Sequence, residues 1–311
     1  MTVATLAPAA APCLDSAVVL RELEEHGIAV VPGLIDADTL AGMQRAFGAR
    51  LQRLRWNNVD GYAMTERYRH MVEDVLTLHQ GFVDLALHPL VKEVARAYVG
   101  EGVELTEAKG WLSKATKRDF HGWHGDAWYD QAKATGIPRE LKLAFYLTDV
   151  KSGEFAYIRG SHGKRHPRPL SRQETEQLPL EKVLRVLGPA GTAVLFDTSG
   201  VHRQMAPILK PRQALFYNYH DPSVPLQQED VDYYRYHPLL LNAAFLGGLT
   251  AADMKLLGFG NKTNYLEGHV RGSRAPLFHA MVSGLWRFRV WSGEWLGRIG
   301  GRIRRLFTRR R

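Results

Sequence analysis

The N-terminal third of the chain shows the spacing of apolar positions that is typical of amphipathic helices. Residues 16–25 and 37–55 have helical periodicity, and residues 63–100 continue as helical material with a break at His88-Pro89. The second of these segments carries four apolar residues on one face: Leu40, Met43, Phe47 and Leu51. We therefore expect a layer of helices that precedes the rest of the domain.

The pattern changes to strands from about Val103 to His220. The segment Gly191–Asp197 is typical of a buried strand, and it runs directly into His202. Residues 212–219 form a β-rich run that can pair antiparallel with it, which would bring His202 and Arg212 close together across a hairpin. The pattern predicts a mainly β core of the α+β class, a double-stranded β-helix (jelly-roll, cupin-like) with flanking helices.

Two stretches do not follow the strand pattern. Residues 127–138 contain Trp, Tyr, Lys and Gly without alternation, and they follow His124 and Asp126 directly, so we expect a substrate lid there. Residues 224–278 are tyrosine-rich and mostly helical in pattern, and they suggest no chemistry.

Four residues within the strand region form a candidate metal and cosubstrate site. Two imidazoles and one carboxylate, from His124, His202 and Asp126, can occupy one face of an Fe(II) octahedron and leave three positions for a bidentate cosubstrate and oxygen. Arg212 is placed to bind the far carboxylate of a 2-oxo acid. The His-x-Asp pair alone carries little information, because chance places about one such pair in a chain of this composition. The ordered set indicates oxidative chemistry, whereas two buried core histidines remain the alternative.

Several segments resemble the phytanoyl-CoA dioxygenase (PhyH) family of Fe(II)/2-oxoglutarate oxygenases. They cover roughly residues 20–220 and include Trp-His-x-Asp at 123–126, the strand at 141–150 and Gly-Ser-His at 160–162. The stretch 26–36 is similar to the family's opening strand and helix start. One departure is Arg159, where the family usually has proline, and it affects a loop outside the metal ligands.

The resemblance implies roles for individual residues. His124, Asp126 and His202 would bind Fe(II), and Arg212 would pair with the distal carboxylate of 2-oxoglutarate, a geometry that lysine does not reproduce. O2 would be the oxidant, with ascorbate as an optional reductant, and the cosubstrate would leave as succinate. Because Asp126 fills the position that a halide would need, the expected reaction is hydroxylation and not halogenation.

Other residues near these positions are weaker candidates. Three lie on or next to the strands expected to line the cosubstrate pocket: Lys142, Tyr146 and Gln204. Four are candidates for contact with the substrate: His121, Trp123, Trp128 and Tyr129. His121 is better suited to the entrance than to the metal, because a third histidine would close a position that oxygen needs. The two tryptophans are equally well explained as packing aromatics.

Composition limits the cellular setting and the domain organisation. The single cysteine, Cys13, has no partner for an internal disulfide, and we expect a cytoplasmic protein. Residues 1–14 lack the basic start and unbroken apolar stretch of a signal peptide, so they are predicted to be a disordered leader. No stretch of about 18 apolar residues occurs. We expect a single oxygenase domain over 15–280 and a basic tail over 281–311.

The C-terminal region carries the net charge. Residues 271–311 contain eleven arginines and one acid, a charge of +10, so the remaining 270 residues sum to 9 − 10 = −1. Aromatic and arginine residues recur there at helical spacing, and five are the candidate membrane contacts: Trp291, Trp295, Arg298, Arg302 and Arg305. We expect binding to an anionic membrane surface on the inner membrane and no nucleic-acid partner; a solvated or intersubunit tail remains an alternative.

Together these features predict a membrane-peripheral hydroxylase that acts on a lipid or lipid-linked sugar. Within the family, the basic aromatic C-terminus resembles that of the bacterial 3-deoxy-D-manno-octulosonic acid (Kdo) hydroxylases, which implies Kdo-lipid A as substrate. A soluble hydroxylase of an acyl-CoA, amino acid or natural product is the alternative. A non-catalytic, cupin-like binding module is a further alternative from another class of protein.

Overall fold

The computed structural model describes residues 2–5, 15–52, 68–120, 122–127, 129–166, 170–225 and 239–259, together with Phe288 and Ser292. The described helices are α1 Ser16–His26, α2 Ala37–Leu51, α3 Gln80–Ala86, α4 Pro89–Val99, α5 Arg172–Glu176 and α6 Ala251–Leu256. The described strands are β1 Thr2–Thr5, β2 Ile28–Val31, β3 Arg69–Val72, β4 Glu104–Ser113, β5 Leu141–Tyr146, β6 Val150–Ile158, β7 Val183–Gly188, β8 Ala193–Asp197, β9 His202–Gln204 and β10 Arg212–His220.

These strands form two sheets. The larger has the order β2-β8-β5-β10-β4-β3, and the smaller has the order β1-β7-β6-β9. All pairings in the larger sheet are antiparallel. The predicted jelly-roll class with flanking helices is confirmed, although the described strands make two sheets and not a closed barrel.

The helices begin and end where local chemistry requires. The Asp36 side chain caps α2 by accepting a hydrogen bond from Thr39 N at 2.9 Å. Gly27 ends α1 with φ 74°, a left-handed conformation that favours glycine and turns the chain directly into β2. Pro89 lies in the first turn of α4, which explains the break between α3 and α4.

The larger sheet separates two cores because alternate side chains point to opposite faces. On its outer face, residues such as Phe145, Leu215 and Tyr217 pack with the helices, including Phe47 and Phe82. On its inner face, a second cluster fills part of the space between the sheets and includes Tyr146, Ala214, Phe196, Phe155 and Tyr157. The two sheets therefore enclose an inner space, and the candidate site lies at this inner side.

One predicted pairing and two predicted segments differ from the structure. Strand β10 pairs with β4 and β5 and not with β8, so no hairpin joins the strand at 191–197 to β10. Residues Arg69–Val72, within a segment predicted to be helical, form β3 because their backbone pairs with the edge of β4. Thr2–Thr5, within the predicted disordered leader, form β1 and pair in parallel with β7. Both segments are short, and each pairs with the edge of a sheet. Tertiary pairing therefore determines their conformation.

The chain divides into two compact units, Met1–Asn261 and Lys262–Arg311. The second unit is described only at Phe288 and Ser292, so the boundary predicted near residue 280 and the five candidate membrane contacts of the tail lie outside the described residues. Among the described helices, none has the length and apolar character needed to cross a bilayer.

Candidate metal and cosubstrate site

Two backbone hydrogen bonds place His124 beside His202. The N–H of His124 donates to the carbonyl of His202 at 3.1 Å, and the N–H of His202 donates to the carbonyl of His124 at 2.8 Å. Residues that exchange both bonds in an antiparallel bridge project their side chains to the same side. The two imidazole rings accordingly lie with their centroids 4.5 Å apart.

Asp126 completes a group of three ligands. Its N–H donates to the carbonyl of Thr198 at 2.7 Å, which fixes the backbone after the turn at Gly125. One carboxylate oxygen lies 3.8 Å from Nε2 of His124, and the other lies 3.8 Å from Nε2 of His202. All three residues are buried, and their ligand atoms lie within 4.8 Å of one another. This set can hold one metal ion with a single carboxylate, as predicted.

The backbone orients both imidazoles for metal binding. The Nδ1 atoms lie 3.0 Å from the carbonyl of Gly122 in His124 and 2.8 Å from the carbonyl of Gly200 in His202. A carbonyl only accepts, so each Nδ1 carries the proton and each Nε2 presents a lone pair to the metal. Burial, and then the neighbouring charge of His124, lowers the pKa of His202 to about 3. His202 is therefore a neutral ligand at physiological pH.

Arg212 lies at the start of β10, buried between the sheets. The amide of Gln204, oriented with its oxygen toward the guanidinium, accepts from Nε at 2.9 Å and from Nη2 at 3.1 Å. The remaining nitrogen, Nη1, is buried and has no hydrogen-bond partner among the described residues. A buried guanidinium donor of this kind requires an acceptor, and the carboxylate of a 2-oxo acid provides one. The site therefore fits 2-oxoglutarate as well as iron.

The other two predicted cosubstrate residues also lie on this inner face. Lys142 Nζ donates to the Oδ2 atom of Asp126 at 3.1 Å, so it contacts a metal ligand directly. The Tyr146 hydroxyl donates to the carbonyl of Val186 at 2.9 Å and accepts from the N–H of Phe155 at 3.1 Å. The Tyr146 ring therefore forms a fixed wall 5.8 Å from Arg212 Cζ.

Trp123 does not lie where a substrate contact was expected. It packs in a cluster with Ala156 and Ile158, on the outer face of the smaller sheet, and Arg203 lies over its ring at 5.4 Å. The reason is alternation, because neighbouring residues in extended backbone point to opposite sides and His124 points inward. Trp123 is thus a packing aromatic.

The remaining predicted substrate residues are less fully described. Tyr129 is buried, whereas His121 and Trp128 lie outside the described residues. The segment 127–138 contains turns and no regular strand in its described part, and the N–H of Asp130 donates to the carbonyl of Pro225 at 2.7 Å. The lid interpretation of this segment stays a prediction.

Sequence reasoning missed one contribution to the site and one residue beside it. Gly125 has no space for a side chain, because a Cβ there would lie 2.5 Å from the carbonyl oxygen of Ser199. Asn218 lies on the inner face of β10, opposite Lys142. The alternation within residues 212–220 would have identified the inner-facing positions once the inward direction of Arg212 was assumed.

Comparisons with known proteins identify the family and the fold. The family model described as phytanoyl-CoA dioxygenase (PhyH) matches residues 23–204, more than half of the chain. Two solved structures are similar: EctD from S. alaskensis with 2-oxoglutarate and 5-hydroxyectoine, and the epimerase SnoN with Fe3+, alpha ketoglutarate and nogalamycin RO.

The likeness to these structures is one of fold. EctD is 22% identical with a TM-score of 0.55 and covers 68% of this chain and 78% of its own. SnoN is 19% identical with a TM-score of 0.52 and covers 68% of this chain and 86% of its own. No curated protein matches the sequence significantly.

Proposed function

The chain belongs to the phytanoyl-CoA dioxygenase family and is an Fe(II)/2-oxoglutarate-dependent oxygenase, and we propose from this premise that it hydroxylates a lipid-linked sugar at a membrane surface. The specific reaction that we propose is 3-hydroxylation of Kdo in Kdo-lipid A. The observation that carries the reaction class is the buried set of His124, Asp126 and His202, with Arg212 held on the same inner side. Family membership and this site argue against a non-catalytic module.

Each described residue of the site has a distinct task. The two histidines and Asp126 would hold Fe(II), which with 2-oxoglutarate and O2 supplies the oxidation of an unactivated C–H bond. Arg212, braced by Gln204, would bind the distal carboxylate of the cosubstrate and set its direction. Lys142 holds the second oxygen of Asp126 and so orients the carboxylate. The position of the site between the sheets limits the access of water and so limits side reactions.

Cationic loops support an anionic sugar as substrate. Lys117 and Arg118 are exposed after β4, and Lys164 and Arg165 are exposed after β6. Arg165 Nη2 also contacts the carbonyl of Gln131 at 3.4 Å, which links its loop to the segment after Asp126. Positive charge around a cleft raises the local concentration of an anionic ligand. A carboxylated or phosphorylated sugar fits this environment better than a neutral lipid.

The sequence of the tail supports the proposed membrane location. An arginine-rich segment with tryptophans is typical of helices that lie in an anionic interface, and each cationic residue near such a surface contributes about 1 kcal/mol. The location that we propose is the cytoplasmic face of the inner membrane. A soluble hydroxylase of an acyl-CoA, an amino acid or a natural product is the second candidate, and the tail is the feature that separates the two.

Two measurements test this proposal. Incubation with Fe(II), 2-oxoglutarate and Kdo-lipid A should give succinate and a product heavier by one oxygen atom, and Asp126→Ala should abolish both. Deletion of residues 283–311 should abolish binding to anionic liposomes. Turnover of a soluble acyl-CoA or amino acid in place of Kdo-lipid A, with liposome binding absent in the full chain, would overturn the proposal in favour of the second candidate.

A further inference from the structure

Polar side chains line the inner face of the larger sheet beside the metal site. Asn218 on β10 lies directly opposite Lys142 on β5 and directly opposite Glu107 on β4. Opposite residues of an antiparallel pair share one face of the sheet. Since Lys142 Nζ contacts Asp126 at 3.1 Å, this is the face of the sheet that is turned toward the candidate metal ligands.

Charged side chains lie farther along the same face of the sheet. Lys109, two residues beyond Glu107 on β4, therefore lies on the same side, and its Nζ lies 2.8 Å from Glu107 Oε1. Glu73 follows β3, and its pKa is raised by burial, which outweighs the opposing charge of nearby Lys109. We call Asn218, Glu107, Lys109 and Glu73 the polar row. It extends across three adjacent strands, from the neighbourhood of Lys142 to the edge of the sheet.

The polar row contains two buried acceptor atoms that lack donors among the described residues. Asn218 is 1% exposed, and its Oδ1 atom has no hydrogen-bond partner within the described part of the chain. The same holds for Oε1 of Glu73. Burying an acceptor without a donor costs free energy, so buried acceptors without a partner are rare in native proteins and often have a functional role. Both atoms therefore call for a donor group from a ligand.

The geometry points to a sugar-binding subsite: we propose that the polar row binds hydroxyl groups of the substrate while the target carbon lies at the metal. A hydroxyl donates to Asn218 or Glu73 and also accepts from Lys109, whereas an acyl chain satisfies none of these groups. This inference rests on the proposed function and deepens it, because it selects the sugar and not the lipid chain as the part that is recognised beside the metal.

The test is anaerobic calorimetric titration of the protein loaded with Fe(II) and 2-oxoglutarate, using free Kdo and a panel of other hydroxylated sugars. Asn218→Leu should weaken sugar binding by about tenfold or more, the equivalent of at least one lost hydrogen bond. Glu107→Gln should also weaken sugar binding. Gln213→Leu, on the opposite face of β10, is the matched control and should leave sugar affinity within about twofold of the wild type.

Cosubstrate binding shows whether each variant is intact. The visible charge-transfer band of the Fe(II)/2-oxoglutarate complex should be unchanged in Asn218→Leu, because Arg212 and the metal ligands are untouched. Unchanged sugar affinity in both variants would show that the polar row does not bind the sugar, but it would not contradict Kdo as the substrate. If the wild type binds another sugar but not Kdo, and Asn218→Leu loses that binding, Kdo is not the substrate but the polar row does bind sugar. Binding of no sugar by the wild type would overturn both.

Discussion

Gln204 and Arg212 form a paired unit in which one amide oxygen accepts hydrogen bonds from both Nε and Nη2 of the guanidinium, at 2.9 and 3.1 Å. This leaves Nη1 as the buried nitrogen without a partner among the described residues. The pairing fixes the plane of the guanidinium before a ligand arrives. Such preorganisation reduces the entropy lost when the cosubstrate binds.

The pairing predicts different effects for two substitutions. Arg212→Lys should weaken 2-oxoglutarate binding by about 100-fold, because lysine keeps the charge but loses the planar fork. Gln204→Leu should weaken it by about tenfold, since the guanidinium remains but is no longer held. Anaerobic titration followed through the charge-transfer band measures both. Equal affinity in Arg212→Lys and wild type would show that Arg212 is not the cosubstrate ligand.

Gly125 provides a test of the metal geometry. A Cβ at this position would lie 2.5 Å from the backbone oxygen of Ser199, so alanine must displace the turn between His124 and Asp126. Gly125→Ala should therefore reduce Fe(II) affinity by about tenfold or more, because ligand atoms must stay within a few tenths of an ångström of their positions. Metal titration measures this affinity.

The control for this substitution lies in the same part of the chain. A Cβ added at Gly136 would have open space around it, with no obstructing atom within 4 Å, so Gly136→Ala should bind Fe(II) like the wild type. Loss of iron in both variants would mean that the region tolerates no side chain for another reason. Wild-type affinity in Gly125→Ala would contradict the close contact.

Two tyrosines on the outer face of β10 should contribute to stability and not to chemistry. Tyr217 donates to the carbonyl of Phe82 at 3.0 Å, and Tyr219 donates to the carbonyl of Ala86 at 2.8 Å. Each Tyr→Phe change leaves a buried carbonyl without this donor and should lower the free energy of unfolding by about 1–3 kcal/mol. Urea denaturation measures this loss. A change in Fe(II) affinity with unchanged stability would contradict the assignment.

Two of the candidate site residues, His202 and Arg212, could be proposed from sequence because each adjoins a segment with a clear local pattern, whereas His124 and Asp126 depended on the ordered set and on the family resemblance. Gly191–Asp197 has the pattern of a buried strand that leads to His202, and Arg212 opens a β-rich run. The fold class followed from the same runs. These signals are local, so one sequence is enough to detect them.

The parts that sequence did not provide depend on register and on tertiary contacts. Strands β1 and β3 form against the edges of β7 and β4, and neither edge is visible in a local pattern. The polar row requires knowing that Asn218 lies opposite both Lys142 and Glu107. The inward or outward direction of Trp123 was open for the same reason, since it depends on the backbone bridge at His124.

A buried pair of His220 and Glu140 predicts how stability should change with pH. His220 Nδ1 lies 3.1 Å from Glu140 Oε1, and its Nε2 lies 3.2 Å from the carbonyl of Val224. Both ring nitrogens thus face acceptors, which favours the doubly protonated imidazolium. Burial alone would lower the pKa of His220, but the hydrogen bond and charge of Glu140 together with the Val224 carbonyl outweigh it, and the pKa is raised.

A folded-state pKa above the unfolded value means that folding takes up a proton. The stabilisation is therefore complete below the unfolded pKa of about 6.5 and is lost as the pH rises through the higher folded-state pKa. The free energy of unfolding should decline over this window in the wild type. In His220→Gln, which cannot titrate, that part of the decline should vanish.

Urea denaturation at intervals from about pH 6 to 9 gives the difference between the two proteins, and a constant difference across the window would show that His220 does not change its protonation there. Because Glu140 also accepts from Thr198 Oγ1 at 2.9 Å, and the Thr198 carbonyl holds Asp126 N at 2.7 Å, the pair supports the segment that carries the metal ligand.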